Sequence, residues 1–425
     1  MGKIWLSIKH HYRLAFLVLG FIFFVHRSDH PPGDRTQEVR AFTRQIEFDF
    51  VTWTLDAVLV KGSQAGLGAT DYIPPAEHAQ IVLDYLQLVR DSWKMEWQID
   101  NIYADPEISD PETDSQDLRQ ALEELNRNKD FLAPVAESVI QNQLSILLGE
   151  LELSFGGQPL PPVLYHVTPL PKALIVSPRE VIQRDAHVSL QAELTIDERT
   201  ALEDQIDAAL DVSSLVVNVG GVGAYPTMVM ETASINWLAE VVSHEWVHNF
   251  LTFRPLGLSY GTSNELRVIN ETVANMADKE IGALLIERFY PEFVPPPPAP
   301  PPEDTAETET QEPEPPVFDF RAAMHETRIT TDELLAAGKI EEAEAYLEAR
   351  RQFFWENGYR IRKLNQAYFA FHGAYADQPG GAAGAAEDPI GDAIRSFRAQ
   401  STSISEFLNH ISWMWSLEQI ESALK

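Results

Sequence analysis

Hydrophobic residues recur every three or four positions from Thr43 to about Phe155, a spacing typical of amphipathic helices. The stretch HAQIVLDYLQLVRDSWKMEWQIDNIY has this spacing, and DLRQALEELNRNKDFLAPVAESVIQNQLSILLGEL repeats it after the turn SDPETDSQ. Pro134 lies inside the second stretch, where a proline is expected to kink or divide a helix. We therefore predict a mostly helical scaffold over residues 31–158.

The pattern changes after the linker FGGQPLPP, because short runs rich in branched residues replace the helical spacing. VLYHV, ALIVS, SLVVNV and AYPTMVM have the composition of strands. TIDERTALEDQIDAAL places Thr195 and Glu198 at the spacing of a capping box and is predicted to be a helix. The apolar run AEVVSHEWVHNFLTF follows as a further helix, with Thr232 or Ser234 as its cap. This alternation predicts an α+β domain over residues 159–293.

A segment of proline and acidic residues separates this domain from the C-terminal part of the chain. VPPPPAPPPEDTAETETQEPEPP, residues 294–316, cannot pack a core and is predicted to be an extended, solvated loop. Residues 317–425 return to helical spacing, interrupted by the flexible break QPGGAAGAAEDPIG. We expect these C-terminal helices to complete the domain that precedes the loop.

The overall charge and the absence of cysteine exclude several function classes. With a formal net charge of −32, the surface is expected to repel phosphate, so nucleic acid is not an expected partner. The chain contains no cysteine, which excludes disulfides, thiolate zinc ligands and a cysteine nucleophile. The oligomeric state is left open by the sequence.

The first 30 residues combine basic side chains with an apolar run from Leu14 to Val25. Lys3, Lys9 and Arg13 precede this run, and no cleavage site of small residues follows it. We predict an uncleaved membrane anchor over residues 1–30, with the rest of the chain outside the cytoplasm. The alternative is an amphipathic helix that packs on the protein or lies on the membrane surface.

The strongest chemical signal is the motif His-Glu-Trp-Val-His at the end of the predicted helix AEVVSHEWVHNFLTF. Residues four apart lie on one face of an α-helix, so His244 and His248 can present two imidazoles to one cation. Glu245 follows the first histidine and can reach a water beside that cation. Without cysteine, a third ligand must be histidine, aspartate or glutamate. The alternative is a pair of buried histidines whose hydrogen bonds are satisfied by the protein.

A second motif, Asn-Glu-x-x-Ala-Asn, places Glu271 23 residues after His248 in a further helical run. Together the two motifs resemble those of the gluzincin metallopeptidases, the thermolysin-like group. The resemblance implies a zincin-like fold, His244, His248 and Glu271 as Zn²⁺ ligands, and Glu245 as general base. That family usually has an aspartate four residues after the third ligand to orient a histidine, but this chain has Asn275 there. Asp278 is a second candidate for this orienting role.

The resemblance also implies a donor from outside the motifs that stabilises the oxyanion. The candidates are Tyr260, Tyr368, His372 and Tyr375. The last three share one helical face in LNQAYFAFHGAY and are predicted to form a wall of the cleft, although a helix packed through its aromatic residues is an equal alternative.

We therefore predict a membrane-anchored, extracytoplasmic zinc peptidase that acts on a peptide or protein substrate. The chain is also similar in general organisation to bacterial membrane-anchored metallopeptidases, aminopeptidases among them. The choice between exo- and endopeptidase stays open, and a cleft closed by acidic residues would indicate an aminopeptidase. Arg179 and Arg267 are candidates to bind a terminal carboxylate, or else form surface ion pairs. The alternative functions are an inactive zincin-like scaffold protein and a zinc hydrolase of non-peptide amides.

Overall fold

In a computed structural model of the protein, helices predominate over short strands, which confirms the predicted α+β class. The predicted anchor over residues 1–30, Tyr375 and most of the predicted loop lie outside the described part of the chain. The structure describes residues 34–104, 108–296, 318–372 and 389–425.

The N-terminal region is helical, as its hydrophobic spacing predicts. Pro134 does not divide the last of its helices, which continues through the proline as one element. By length and composition this helix is the one described element that is apolar enough to cross a membrane, and 44% of its apolar window is buried inside the protein. The elements are α1 (Arg35–Thr43), α2 (Phe50–Leu67), a 3₁₀ turn (Ala69–Tyr72), α3 (Pro75–Ala104), α4 (Pro111–Asp114) and α5 (Gln116–Glu150).

An antiparallel sheet of three strands follows, with the order β5-β4-β6. Because side chains alternate along a strand, Leu174 and Val176 of the central strand pack against α1 and α6, while Ala173 and Ile175 face the C-terminal helices. Helix α6 begins with the predicted capping box between Thr195 and Glu198. The elements are β4 (Lys172–Pro178), β5 (Ala186–Leu190), α6 (Ile196–Leu210) and β6 (Val212–Val217).

A smaller mixed sheet has the order β3-β8-β7, with β3 parallel and β7 antiparallel to β8. The segment FGGQPLPP, predicted to be a linker, contributes to a separate two-stranded hairpin instead. Its glycines Gly156 and Gly157 adopt positive φ angles, which favour the tight turn of a hairpin. The strands are β1 (Ser154–Phe155), β2 (Gln158–Pro159), β3 (Tyr165–Val167), β7 (Gly221–Val222) and β8 (Thr227–Val229).

Two long helices cross the centre of the largest hydrophobic core. The first is capped by Ser234, one of the two predicted caps, and the second by Ser263. A hydrogen bond of 3.0 Å from Asn249 to Thr227 joins the first helix to the mixed sheet. The elements are α7 (Ile235–Leu251), α8 (Pro255–Leu258), α9 (Asn264–Phe289) and a 3₁₀ turn (Pro291–Phe293).

The C-terminal helices divide between two cores. The first three pack on the antiparallel sheet around Phe354 and Phe369, and the last three pack on α9 around Phe407. The C-terminal part therefore covers both the sheet and α9. The helices are α10 (Phe320–Ala336), α11 (Ile340–Glu356), α12 (Gln366–His372), α13 (Pro389–Gln400), α14 (Ile404–Ile411) and α15 (Leu417–Ala423).

Candidate metal centre

Three side chains from α7 and α9 converge on one point. The Nε2 atoms of His244 and His248 lie 3.0 Å apart, and Oε2 of Glu271 lies 3.6 Å from the first and 3.4 Å from the second. Among the described residues this is the one group of three or more histidine and carboxylate side chains whose ligand atoms come close enough to share an ion. The two sequence motifs, which lie on different helices, are thus brought together in space.

The packing of α7 explains why the two histidines face α9. Leu238, Val242, Trp246 and Phe250 are buried in the main hydrophobic core and fix the rotation of the helix. The indole of Trp246 also donates a hydrogen bond of 2.9 Å to the carbonyl oxygen of Pro161. With the other faces committed to the core, the histidine stripe turns towards α9.

Each histidine has a hydrogen-bond partner at its other ring nitrogen. Nδ1 of His244 lies 2.6 Å from Oδ2 of Asp278, and Nδ1 of His248 lies 2.9 Å from Oδ1 of Asn270. The amide of Asn270 is itself held, because its Nδ2 donates to the carbonyl oxygen of Leu256 at 3.3 Å. With Nδ1 as the protonated nitrogen, both Nε2 atoms offer lone pairs towards the point shared with Glu271.

Asn275 occupies the position at which the resembling family usually has its orienting aspartate. It is not the partner in either of these two histidine hydrogen bonds. The partners are Asp278, which was the second candidate, and Asn270, which sequence reasoning missed. The reason is the way α7 and α9 pack: His248 lies near the start of α9, and His244 lies two turns further along it. Spacing within α9 does not reveal which of its residues meets which histidine.

The buried charges of the centre perturb one another. Burial alone would lower the pKa of His244, but the hydrogen bonds to Asp278 and Glu271 raise it well above its usual value. Burial alone would raise the pKa of Glu271, but His248 and His244 hold it well below its usual range. A cation at the shared point would compete with a proton for the Nε2 lone pairs of the histidines.

Glu245 is buried beside the same point and has one oxygen without a partner. Its Oε2 forms no hydrogen bond, although the atom is fully buried. Two glycines of the preceding strand region allow the carboxylate this position. A Cβ at Gly221 would overlap Oε1, and one at Gly223 would lie 3.4 Å from Oε2. Burial raises the pKa of Glu245, and the nearby histidines oppose this effect.

A cavity of about 400 Å³ opens in front of the three converging side chains. One wall is the antiparallel sheet, from which Ile175 and His187 contribute their side chains. The opposite side is formed by α7, α9 and the edge strand β7. The cavity therefore lies where a small molecule or an extended chain could meet the centre.

Of the residues predicted to supply a donor, Tyr260 lines this cavity. Its hydroxyl donates a hydrogen bond to Oε1 of Glu271. Burial makes the largest contribution to raising the pKa of the phenol, and the charge of Glu271 raises it further. Tyr368 and His372 do share one helical face, with ring centroids 4.3 Å apart. Neither is among the described residues that line the cavity, to which α12 contributes Phe371 instead.

Sequence reasoning missed several cavity residues because it missed β5. In AHVSL the buried residues alternate with His187 and Ser189, which line the cavity, and this period of two was the available signal. His187 exposes its ring to the cavity but is surrounded by protein. This enclosure is the main reason that its pKa is lowered to about 4, and the charges of Arg184 and Arg267 lower it further.

The two arginines considered for a terminal carboxylate have different surroundings. Arg179 forms hydrogen bonds of 2.7 and 2.8 Å with Glu344 and one of 2.8 Å with Asp211, away from the centre. It is therefore an ion-paired arginine. Arg267 is buried, lines the cavity and donates to the carbonyl oxygen of Ala370 at 2.9 Å.

The residues that surround the centre can together hold a divalent cation and accept a proton next to it. Histidine nitrogen and carboxylate oxygen suit several transition metals, so the geometry alone does not select zinc. Comparison with protein-family models, with curated proteins and with solved structures finds no match to this chain.

Proposed function

We propose that this protein is a zinc-dependent peptidase with a zincin-like catalytic domain. His244, His248 and Glu271 would hold the metal. The observation that carries the proposal is the convergence of two Nε2 atoms and one carboxylate oxygen within 3.6 Å of one another. Two histidines and one glutamate form a catalytic zinc set that leaves a position open for substrate or water.

The residues that form hydrogen bonds with the three proposed ligands also support a metal site. Asp278 and Asn270 accept from the Nδ1 atoms, which is the usual arrangement behind metal-bound histidines. Tyr260 donates to the oxygen of Glu271 that faces away from the histidines. Each ligand is thereby held in an orientation that leaves its remaining lone pair for a cation.

Zinc bound in such a set polarises a carbonyl group and lowers the pKa of a nearby water. Glu245 would act as the base: its unpartnered Oε2 accepts the proton of the attacking water and later passes it to the leaving amine. Tyr260 keeps its proton at neutral pH because burial raises its pKa, so it remains a hydrogen-bond donor at the cavity.

The edge strand β7 favours a peptide over other amides as the substrate. Among the described strands, β7 pairs with β8 on one side, and its Val222 lines the cavity on the other. An extended peptide can add to such an edge through main-chain hydrogen bonds. A small non-peptide amide lacks the repeating groups that would use this edge.

The test compares Glu245→Gln with Glu240→Gln, an exposed glutamate on the same helix. We expect Glu245→Gln to retain zinc but lose about 100- to 10,000-fold in turnover, because a base is removed without removing a ligand. Zinc content would be measured by elemental analysis and cleavage by mass spectrometry of a mixed peptide library. Glu240→Gln should behave like the wild type.

The same experiment separates the alternatives. Undiminished turnover in Glu245→Gln would remove that residue from the mechanism. Stoichiometric zinc without cleavage by the wild-type protein would favour a scaffold built on the same fold. Cleavage of amides but not of peptides would favour the non-peptide hydrolase.

A further inference from the structure

The cavity in front of the metal centre is lined by positive side chains, although the whole chain carries a formal charge of −32. Its cationic residues are Lys172, Arg184 and Arg267, and its carboxylates are Glu245 and Glu271. Both carboxylates already have roles in the proposed mechanism. Among the lining residues that the structure describes, no further carboxylate faces Lys172 or Arg184 or is left to bind a substrate ammonium group.

Arg184 has no ionic or hydrogen-bonding partner in the described part of the chain. Its guanidinium carbon lies 5.7 Å from the ring centroid of Tyr260, whose hydroxyl contacts the ligand Glu271. The side chain is half-buried at the cavity wall. An arginine in this position keeps its planar array of N–H donors available for the carboxylate of a bound substrate.

Two neighbouring cations, Lys172 and Arg267, add to the positive electrostatic potential that Arg184 creates in the cavity. Lys172 contacts a neutral amide, with its Nζ 3.3 Å from Oδ1 of Asn218. Arg267 is held by Oδ1 of Asn264 and the carbonyl oxygen of Ala370, each at 2.9 Å. The charges of Arg184 and Arg267 both contribute to the lowered pKa of His187, which places their electrostatic effect inside the cavity.

We propose that the substrate is a peptide with a carboxylate near the scissile bond, bound by Arg184 in the field of Lys172 and Arg267. This inference rests on the proposed peptidase function. The carboxylate is supplied either by the C-terminus of the peptide or by an acidic side chain. The described lining disfavours an aminopeptidase, because it presents cations where such an enzyme would need a carboxylate for the substrate ammonium group.

The probe is a set of alanine-based hexapeptides with Glu or Gln at each position in turn, each made with a free C-terminus and as the amide. Binding is measured by calorimetry to metal-free Glu245→Gln protein, so that zinc contributes nothing to the carboxylate contact. Turnover of the same peptides is measured with the zinc-loaded wild type. The variants are Arg184→Gln, Arg184→Lys and, as a matched control, the exposed Arg44→Gln.

We expect carboxylate peptides to bind about ten- to a hundredfold more tightly than their neutral partners. Arg184→Gln should abolish this preference, and Arg184→Lys should retain part of it, because a lysine keeps the charge but not the planar fork. Arg44→Gln should leave it unchanged. A preference for the free C-terminus identifies that source, and a preference for Glu over Gln identifies a side chain.

The proposal is overturned if neutral and acidic peptides bind alike, if none bind, or if Arg184→Gln keeps the preference. Turnover without charge preference contradicts this inference and leaves the peptidase proposal standing. Charge-selective binding that depends on Arg184, without turnover, has the opposite meaning: the cavity binds carboxylates but the catalytic proposal fails.

Discussion

Two clusters in the described part of the protein combine histidine with a buried glutamate, one around Glu137 and one around Glu271, and they differ in the partners of the carboxylate. Glu137 accepts from Nζ of Lys61 at 2.5 Å, from Gln64 at 3.2 Å and from the backbone N–H of Val167 at 2.8 Å. His166 adds a contact of 3.0 Å through Nδ1. Every lone-pair direction of this carboxylate therefore meets a donor or a positive charge.

The second cluster contains the same residue types without a fixed cation. Oε2 of Glu271 faces the Nε2 atoms of His244 and His248, which are acceptors when each Nδ1 carries the proton. Histidine and glutamate in a buried cluster therefore do not by themselves indicate a metal. The useful sign is a group of acceptors that face one another with no protein donor between them.

The first cluster has a structural task that its position explains. Lys61 lies on α2, Glu137 on α5 and His166 on β3, so the carboxylate ties two scaffold helices to the mixed sheet. The same sheet carries β7 at the edge of the cavity. The N-terminal region is therefore attached to the candidate catalytic part through a neutralised buried charge.

Among the tests of the contrast between the two clusters, the largest effect is expected when the proposed ligand carboxylate of Glu271 is removed. Glu271→Ala should lower zinc affinity more than about 100-fold, because even the loss of an outer hydrogen-bond partner costs 10- to 100-fold. Titration of metal-free protein with zinc against a competing chelator would measure it. Glu287→Ala, an exposed site on the same helix, is the control. Unchanged affinity in Glu271→Ala would mean that another residue is the third ligand.

Removal of the other carboxylate should instead affect folding. Glu137→Gln leaves Lys61 buried without its counter-charge, so we expect the free energy of unfolding to fall by about 3–5 kcal/mol. Denaturant unfolding of metal-free protein would show this, and zinc affinity should be unchanged. A variant that loses zinc but keeps its stability would reverse the assignment of the two clusters.

The pH dependence of stability gives the smallest and most specific test. Burial would raise the pKa of Glu137, but His166 and Lys61 lower it to about 2, below its unfolded value. The unfolded chain therefore takes up this proton first as the pH falls. The contribution is present above pH ~4.5 and is lost towards pH ~2, on the order of 3 kcal/mol.

The difference in unfolding free energy between wild type and Glu137→Gln should accordingly shrink over that acidic range. Both proteins would be measured without metal, so that proton competition at the metal ligands does not enter. A difference that stays constant from pH 7 to pH 2.5 would show that Glu137 is not held ionised by its neighbours.

Local periodicity predicted much of the fold. The scaffold helices, the capping box at Thr195 and the helix capped by Ser234 depend on residues within a few positions of one another. The prediction missed β5, whose partners in β4 lie 10 to 18 residues earlier in the chain and which is only five residues long. Short strands are formed by their neighbours in the sheet, so their own sequence carries a weak signal.

The candidate site divides in the same way. An i, i+4 pair places His244 and His248 on one face whatever the rest of the chain does. Tyr368 and His372 also share a face, as expected, but the packing of α12 decides that this face does not line the cavity. A local pattern fixes which residues point together, and it does not fix where they point.

From the sequence alone, helical geometry over one or two turns predicted the scaffold helices and the paired imidazoles with Glu245 beside them. The carboxylate of Glu271, on a later helix, was implied by the resemblance of the two motifs to a known family and not by local geometry. Tertiary structure alone decided that Asp278 and Asn270 support the histidines, that glycines of the mixed-sheet region give Glu245 its room, and that Arg184 faces a cavity. These contacts join residues from separate elements, and the packing of those elements depends on the whole core.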